Sequence, residues 1–232
     1  MVRVLWLLLL LLPTVAAGQW QIEAFLGPVK IISHDVEIRQ PQRQTALIFH
    51  TVAYSGEALR VPLYYGIRIG KFLRNPNWLG GEIEFIHNKA YARTERTVHV
   101  TGSFHGAPYD ARIPMKTLLR DFSFSHGDNL AFANVVLQKR WWKLQWRGRL
   151  GLGLGIPHAE STFEGEHQEQ FDLTFPAVQI ALGFAGKIGR QAEVLAEYKF
   201  TSNNLQDVRI AHGHADTQIL AHHFVAGVGY VF

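Results

Sequence analysis

The chain has 232 residues, 47% hydrophobic and 18% charged, so it carries enough apolar side chain for one packed or lipid-facing domain and too much for disorder. It contains no cysteine, which excludes disulfide staples, thiolate metal ligands and a cysteine nucleophile. Of its 23 lysines and arginines, Arg3 falls in a leader segment; the remaining 22 against 19 carboxylates give +3, too mild to imply nucleic acid but suited to anionic lipopolysaccharide.

Residues 1–17 combine Arg3, an apolar run from Leu5 to Leu12, Pro13 and the small residues Val15-Ala16-Ala17. A basic start, a short greasy centre and a small-residue cleavage site describe a signal peptide, leaving 18–232 as one domain. The run falls well short of the roughly 20 residues that a membrane-crossing helix needs, and no later segment reaches that length.

From there the chain alternates apolar and polar or small residues in stretches of about 10, which is the signature of strands crossing a membrane in a barrel. The expected strands cover 19–32, 58–73, 78–91, 120–139, 144–162, 170–187, 190–202 and 215–232. Arg68 lies between Ile67 and Ile69, and Glu82 and Glu84 alternate with Ile83 and Phe85. Further on, Gly151, Gly153 and Gly155 alternate with leucines, and Glu193, Leu195, Glu197 and Lys199 alternate with Val194, Ala196, Tyr198 and Phe200. The last strand is the clearest: Leu220, His222, Phe224, Ala226, Val228, Tyr230 and the terminal Phe232 share one parity. The expected fold is therefore all-β, an eight-stranded antiparallel transmembrane barrel of the OmpA-like kind.

An even strand number brings both ends of the domain to one side, expected to be the periplasm of a Gram-negative bacterium. Short turns fall at Asn75-Pro76-Asn77, at Trp141-Trp142 and at 186–190, and long loops at 33–57, 92–119, 163–169 and 203–214. Within the first long loop, Ala46 to Tyr54 alternates and could extend a strand above the membrane. Trp20, Trp78, Trp141, Trp142 and Trp146 gather at the short-turn end as an aromatic girdle. Such a barrel implies outer-membrane lipids and lipopolysaccharide as neighbours, the barrel assembly machinery during biogenesis, and a monomer.

A barrel of eight strands is narrow enough to be filled by its own side chains. Interior parity holds Arg68, Arg147, Arg149 and Lys199 with Glu82, Glu84, Glu193 and Glu197, which reads as a salt-bridged plug. Toward the long-loop end, His87, Asn88 and Lys89, then His126, Asp128 and Asn129, then His158 and Glu160 converge on one rim if the register holds. Two readings stand: rim histidines bonded to solvent and backbone, or a cluster that binds a divalent metal or exchanges protons. His212 and His214 fall in a loop, His222 and His223 point to opposite faces, and Gly151 to Gly155 lacks the helix start of a phosphate-binding loop. A Gly-x-Ser-x-Gly elbow is also absent.

Several segments together resemble the lipid A oxidases of rhizobia and their relatives: Pro62 to Gly66 with Arg68, Gly81 to Tyr91, Phe124 to Asn129, Gly151 to Glu160, and Ala196 to Phe200. The resemblance implies an outer-leaflet enzyme that uses molecular oxygen to oxidise the proximal glucosamine of lipid A to an aminogluconate unit. By the same resemblance His87, His126, His158 and Glu160 are the catalytic candidates and Asn88, Lys89 and Asn129 the substrate contacts, with Arg68, Glu84 and Glu197 supporting them from within. The cofactor stays open, a divalent metal being one option. A non-enzymatic structural or adhesive barrel, or less readily a narrow solute channel, would share the fold.

Overall fold

The computed structural model describes residues 18–232 apart from 59, 60 and 62, so the expected signal peptide lies outside the described residues. In chain order the strands are β1 (Gly18–Leu26), β2 (Val29–Ile32), β3 (His34–Gln40), β4 (Thr45–Val52), β5 (Tyr54–Ser55), β6 (Tyr65–Leu73), β7 (Leu79–Ala92) and β8 (Thr97–Phe104). They continue with β9 (Ala107–Pro114), β10 (Leu119–Trp141), β11 (Leu144–Phe163), β12 (Glu166–Phe171), β13 (Thr174–Lys187), β14 (Ala192–Ile210) and β15 (Gly213–Val231). Eight of them pair in the antiparallel order β1-β6-β7-β10-β11-β13-β14-β15, and β15 returns to β1 to close the ring. Closure leaves no sheet edge in the wall, the condition for strands to cross a bilayer.

The alternation expected from the sequence holds around the wall. Ile67, Ile69, Ile83, Leu150, Leu152, Leu154, Ile180, Leu182, Phe224 and Val228 point outward and are exposed, an apolar belt too continuous for water. At one end lie the turns after β6, β10 and β13, with Trp20, Trp78, Trp141 and Trp142 exposed around them. Both ends of the domain meet there, the amide of Trp20 donating to the Phe232 carbonyl at 3.0 Å.

The opposite end departs from expectation. Residues 33–57, 92–119, 163–169 and 203–214, read as long loops, are mostly strand: β3, β4 and β5, the β8–β9 hairpin, β12, and the continuations of β14 and β15. The reason is a second apolar core: Val36, Ile38, Leu47, Phe49, Val100, Phe122, Phe124, Phe163, Leu205 and Val208 all bury completely or nearly so beyond the lipid belt. The strand expected at Ala46 to Tyr54 is β4 with β5. Three boundaries also move, the sixth strand starting at Thr174 rather than 170 because Glu166–Phe171 pair separately with β11 as β12. The first strand breaks at Gly27-Pro28, yet β1 and β2 keep one register along β15. The second starts at Tyr65 rather than 58, because the Tyr64 amide turns back to the Ala58 carbonyl at 2.9 Å instead of joining the ladder.

Candidate functional site

Inside the belt the eight charged residues expected in the interior are all there, at most 6% exposed, joined by a ninth, Glu23. Arg68 bonds Glu23 and, at 2.8 Å, Glu197; Arg147 reaches Glu193 at 2.5 and 2.9 Å and Glu23 at 2.5 Å. Arg149 bonds Glu82 at 2.7 and 3.1 Å and also Glu197, while Lys199 bonds Glu84. Five carboxylates thus face four cations. Side-chain amides cover the surplus acceptors: Gln21 donates to Glu193 at 2.5 Å, and Asn134 and Gln179 to Glu84 at 2.9 and 3.1 Å. Gly151 makes room for this layer, since a Cβ there would strike the side chains of Asn134 and Gln179. Glu23 and Gln21 were legible in principle, because they alternate with Ile22 and Ala24.

Above this plug the expected rim divides between the two faces of the wall. Asp128 and Asn88 point inward and are fully buried; Asp128 accepts from Asn203 at 2.6 Å and from Asn88 at 3.4 Å. His223 is also interior, bonded to Thr201 at 2.8 Å beside Tyr64. Asp128 and Asn88 therefore do not join the histidines, contrary to the convergence expected at a single rim. Lys89 is buried as well, with its ammonium 5.7 Å from the Tyr91 ring, so it offers little to a large substrate at the surface.

The outer face carries the rest. The lipid-facing run of β11 ends at Ile156, and the next two residues of the same parity are His158 and Glu160. On β10 a bulge lies between Phe124 and Asp128, registered against both neighbouring strands, with Gly127 at φ +128°. That backbone is one that glycine tolerates and other residues rarely adopt. The bulge brings His126, 66% exposed in its side chain, over Glu160.

His126 Nδ1 lies 2.9 Å and His158 Nδ1 3.7 Å from Glu160 Oε1, and the two imidazoles meet edge to face at 4.8 Å. Ser125 also bonds Glu160. Burial pushes the Glu160 carboxyl up, but the Ser125 and His126 hydrogen bonds outweigh it and hold the group below the usual glutamate range. His87 and Asn129 share the outer face in a separate pair 2.7 Å apart, with His87 stacked on Tyr65. Of the four catalytic candidates, His126, His158 and Glu160 come together, and His87 does not join them.

A closed ring with an apolar belt outside and an ionic plug inside is a transmembrane β-barrel of the outer-membrane type. No protein-family model matches the chain, and no curated protein matches it in sequence. Solved structures similar to it include the outer membrane protease OmpT from Escherichia coli, 10% identical over 93% of this chain and 97% of that one, at a TM-score of 0.49. Another is Ail, the attachment invasion locus protein of Yersinia pestis, 12% identical over 93% and 99% at 0.41. The N-terminal β-barrel domain of Pseudomonas aeruginosa OprF is 12% identical over 93% and 98% at 0.40.

Proposed function

We propose that this outer-membrane barrel modifies lipid A in the outer leaflet, oxidising the anomeric carbon of its proximal glucosamine with molecular oxygen, and that its domain ends face the periplasm. One observation carries the reading: a cluster of titratable side chains opens on the outside of a filled barrel, directly beyond the last lipid-facing residue of β11. A site there meets the headgroup of a lipid rather than a solute in a lumen, which disfavours the channel alternative.

The carbon that becomes a carboxyl must start as a free lactol, so the substrate is lipid A without a phosphate on that carbon. Loss of the C1–H and O–H hydrogens gives the lactone, and oxygen takes both as hydrogen peroxide. Water then opens the lactone to the aminogluconate, for a net gain of one oxygen. In this scheme Glu160, kept ionised by its donors, takes the lactol proton directly or through His126 and passes it on to the reduced oxygen, while His158 lies 3.7 Å from the same carboxylate oxygen. His87 and Asn129, next along the outer face, contact the sugar.

The test is mass spectrometry of lipid A from aerobic cells that express the chain in an outer membrane whose lipid A bears a free anomeric hydroxyl and lacks such an activity, beside His126→Ala. A mass gain of one oxygen, lost in the variant, is expected. Unchanged lipid A with a folded barrel would favour a surface-contact role, for which the β8–β9 hairpin, with β9 as the free end of the sheet order, is the structural support.

A further inference from the structure

The cluster of His126, His158 and Glu160 has a property that hydrogen bonding leaves unexplained. His126 and Glu160 satisfy each other with Ser125, but His158 Nδ1 is buried and without a hydrogen-bond partner, although it belongs to the same group. An orphaned imidazole nitrogen directed into a group of donors is a ligand atom in search of an acceptor of its lone pair.

We propose that His126, His158 and Glu160 bind a first-row divalent transition metal on the outer face of the barrel wall. This deepens the lipid A reading by naming the cofactor class of the same three residues. Imidazole nitrogen and carboxylate oxygen sit about 2.0–2.2 Å from such an ion, so ligand atoms in one shell lie about 3–3.5 Å apart. The separations of 2.9 and 3.7 Å to Glu160 bracket that spacing, and one donor atom from each residue lies within 4.8 Å of the others. Small side-chain rotations suffice to close the shell.

The donor set chooses among metals. Two imidazoles and one carboxylate suit iron, cobalt, nickel, copper or zinc and fit poorly with calcium or magnesium, which prefer all-oxygen shells. Three protein ligands also leave coordination positions vacant for an exogenous oxygen ligand, the pattern of two histidines and one carboxylate found in oxygen-using iron sites. His158 and Glu160 are two apart on β11 and so share a face by strand geometry, while the β10 bulge supplies His126. His158 packs on Phe171 at 4.4 Å, which fixes its ring, and exposed His126 leaves the approach open.

Tag-free full-length barrel, folded in detergent and stripped with chelator, is titrated with cobalt(II) and read by visible absorption and by metal content. One cobalt per chain is expected, displaced by zinc(II) but not by magnesium. Affinity should fall at least tenfold in His158→Ala and in Glu160→Gln, and stay within twofold in His222→Ala, a histidine of β15 outside the cluster. Heat-modifiable gel mobility confirms that each variant is folded. Absence of cobalt binding, or binding unchanged in both ligand variants, overturns the site. Cobalt binding with unaltered lipid A keeps the metal and rejects the oxidation. Oxidised lipid A from protein that binds no cobalt does the reverse.

Discussion

Glu23 accepts from Arg68 and Arg147 and lies 3.4 Å from Arg149, so three guanidiniums lean on one carboxylate at 2% exposure. Removing one partner of a buried ionic group leaves the others uncompensated, which costs roughly 3–5 kcal/mol. Glu23→Ala is expected to lower barrel stability by that order, measured as a shift of the urea midpoint in detergent, with Glu23→Gln losing less because it keeps an acceptor oxygen. An equal loss in the two would show that charge pairing, not shape or the retained acceptor, sets the cost. Parity sorted Arg68, Glu82, Glu84, Arg147, Arg149, Glu193, Glu197 and Lys199 correctly, since each alternates with apolar neighbours inside a long regular strand. It could not sort Asp128 from His126, because the bulge between them resets the alternation and no residue type announces a bulge of this kind with certainty.

At the scale of elements, that bulge is the device that builds the outer cluster. A Cβ on Gly127 would come within 2.5–2.7 Å of the Asn129 side chain, on a backbone that disfavours any β-carbon. Gly127→Val is expected to cost on the order of 1–3 kcal/mol locally and to weaken cobalt binding without unfolding the barrel. Full cobalt affinity in the folded variant would separate His126 from the bulge. The sheet beyond the belt has its own fastening: Asp35 accepts the Thr51 amide at 2.7 Å and lies 3.1 Å from His50. Burial pushes the Asp35 carboxyl up, but these partners hold it below the usual aspartate range. A depressed folded value means stabilisation that is present above the ordinary aspartate range and is lost as pH falls through it. The group is largely solvated, so the effect is modest, about 1 kcal/mol. Asp35→Ala is expected to speed amide exchange at Thr51 at neutral pH, and acid below the aspartate range should do the same to the native chain while leaving amides of β13 protected. This fastening was hidden in the sequence because Asp35 lies on β3, where a loop was expected, so the strand expected at Ala46 to Tyr54 had no partner in view, although Val36 and Ile38 alternate with Glu37 and Arg39.

Across the whole molecule the interior is closed twice. The first closure is the ionic layer of Glu23, Arg68, Arg147, Arg149 and their partners at the level of the lipid belt. The second is the apolar core beyond it, where Phe49, Phe122, Phe124 and Phe163 are at most 1% exposed. A hydrated ion needs a continuous wet path, and neither layer supplies one. The purified barrel is accordingly expected to give no resolvable single-channel steps in a planar bilayer. Weakening the ionic layer alone, as in Glu23→Ala, should leave the membrane silent, because the aromatic layer still blocks the path. Steps appearing in that variant would mean that the upper core opens in the membrane. Steps in the native chain would return the channel reading and deprive the outer face of its claim to be the working surface. With the lumen sealed, chemistry on a membrane solute has no route inward, and what remains available to a barrel of this shape is its outer wall and its projecting sheet. His126, His158 and Glu160 lie on the outer wall beyond Ile156 of β11, so silence in the bilayer together with metal on the wall would direct function to the lipid side.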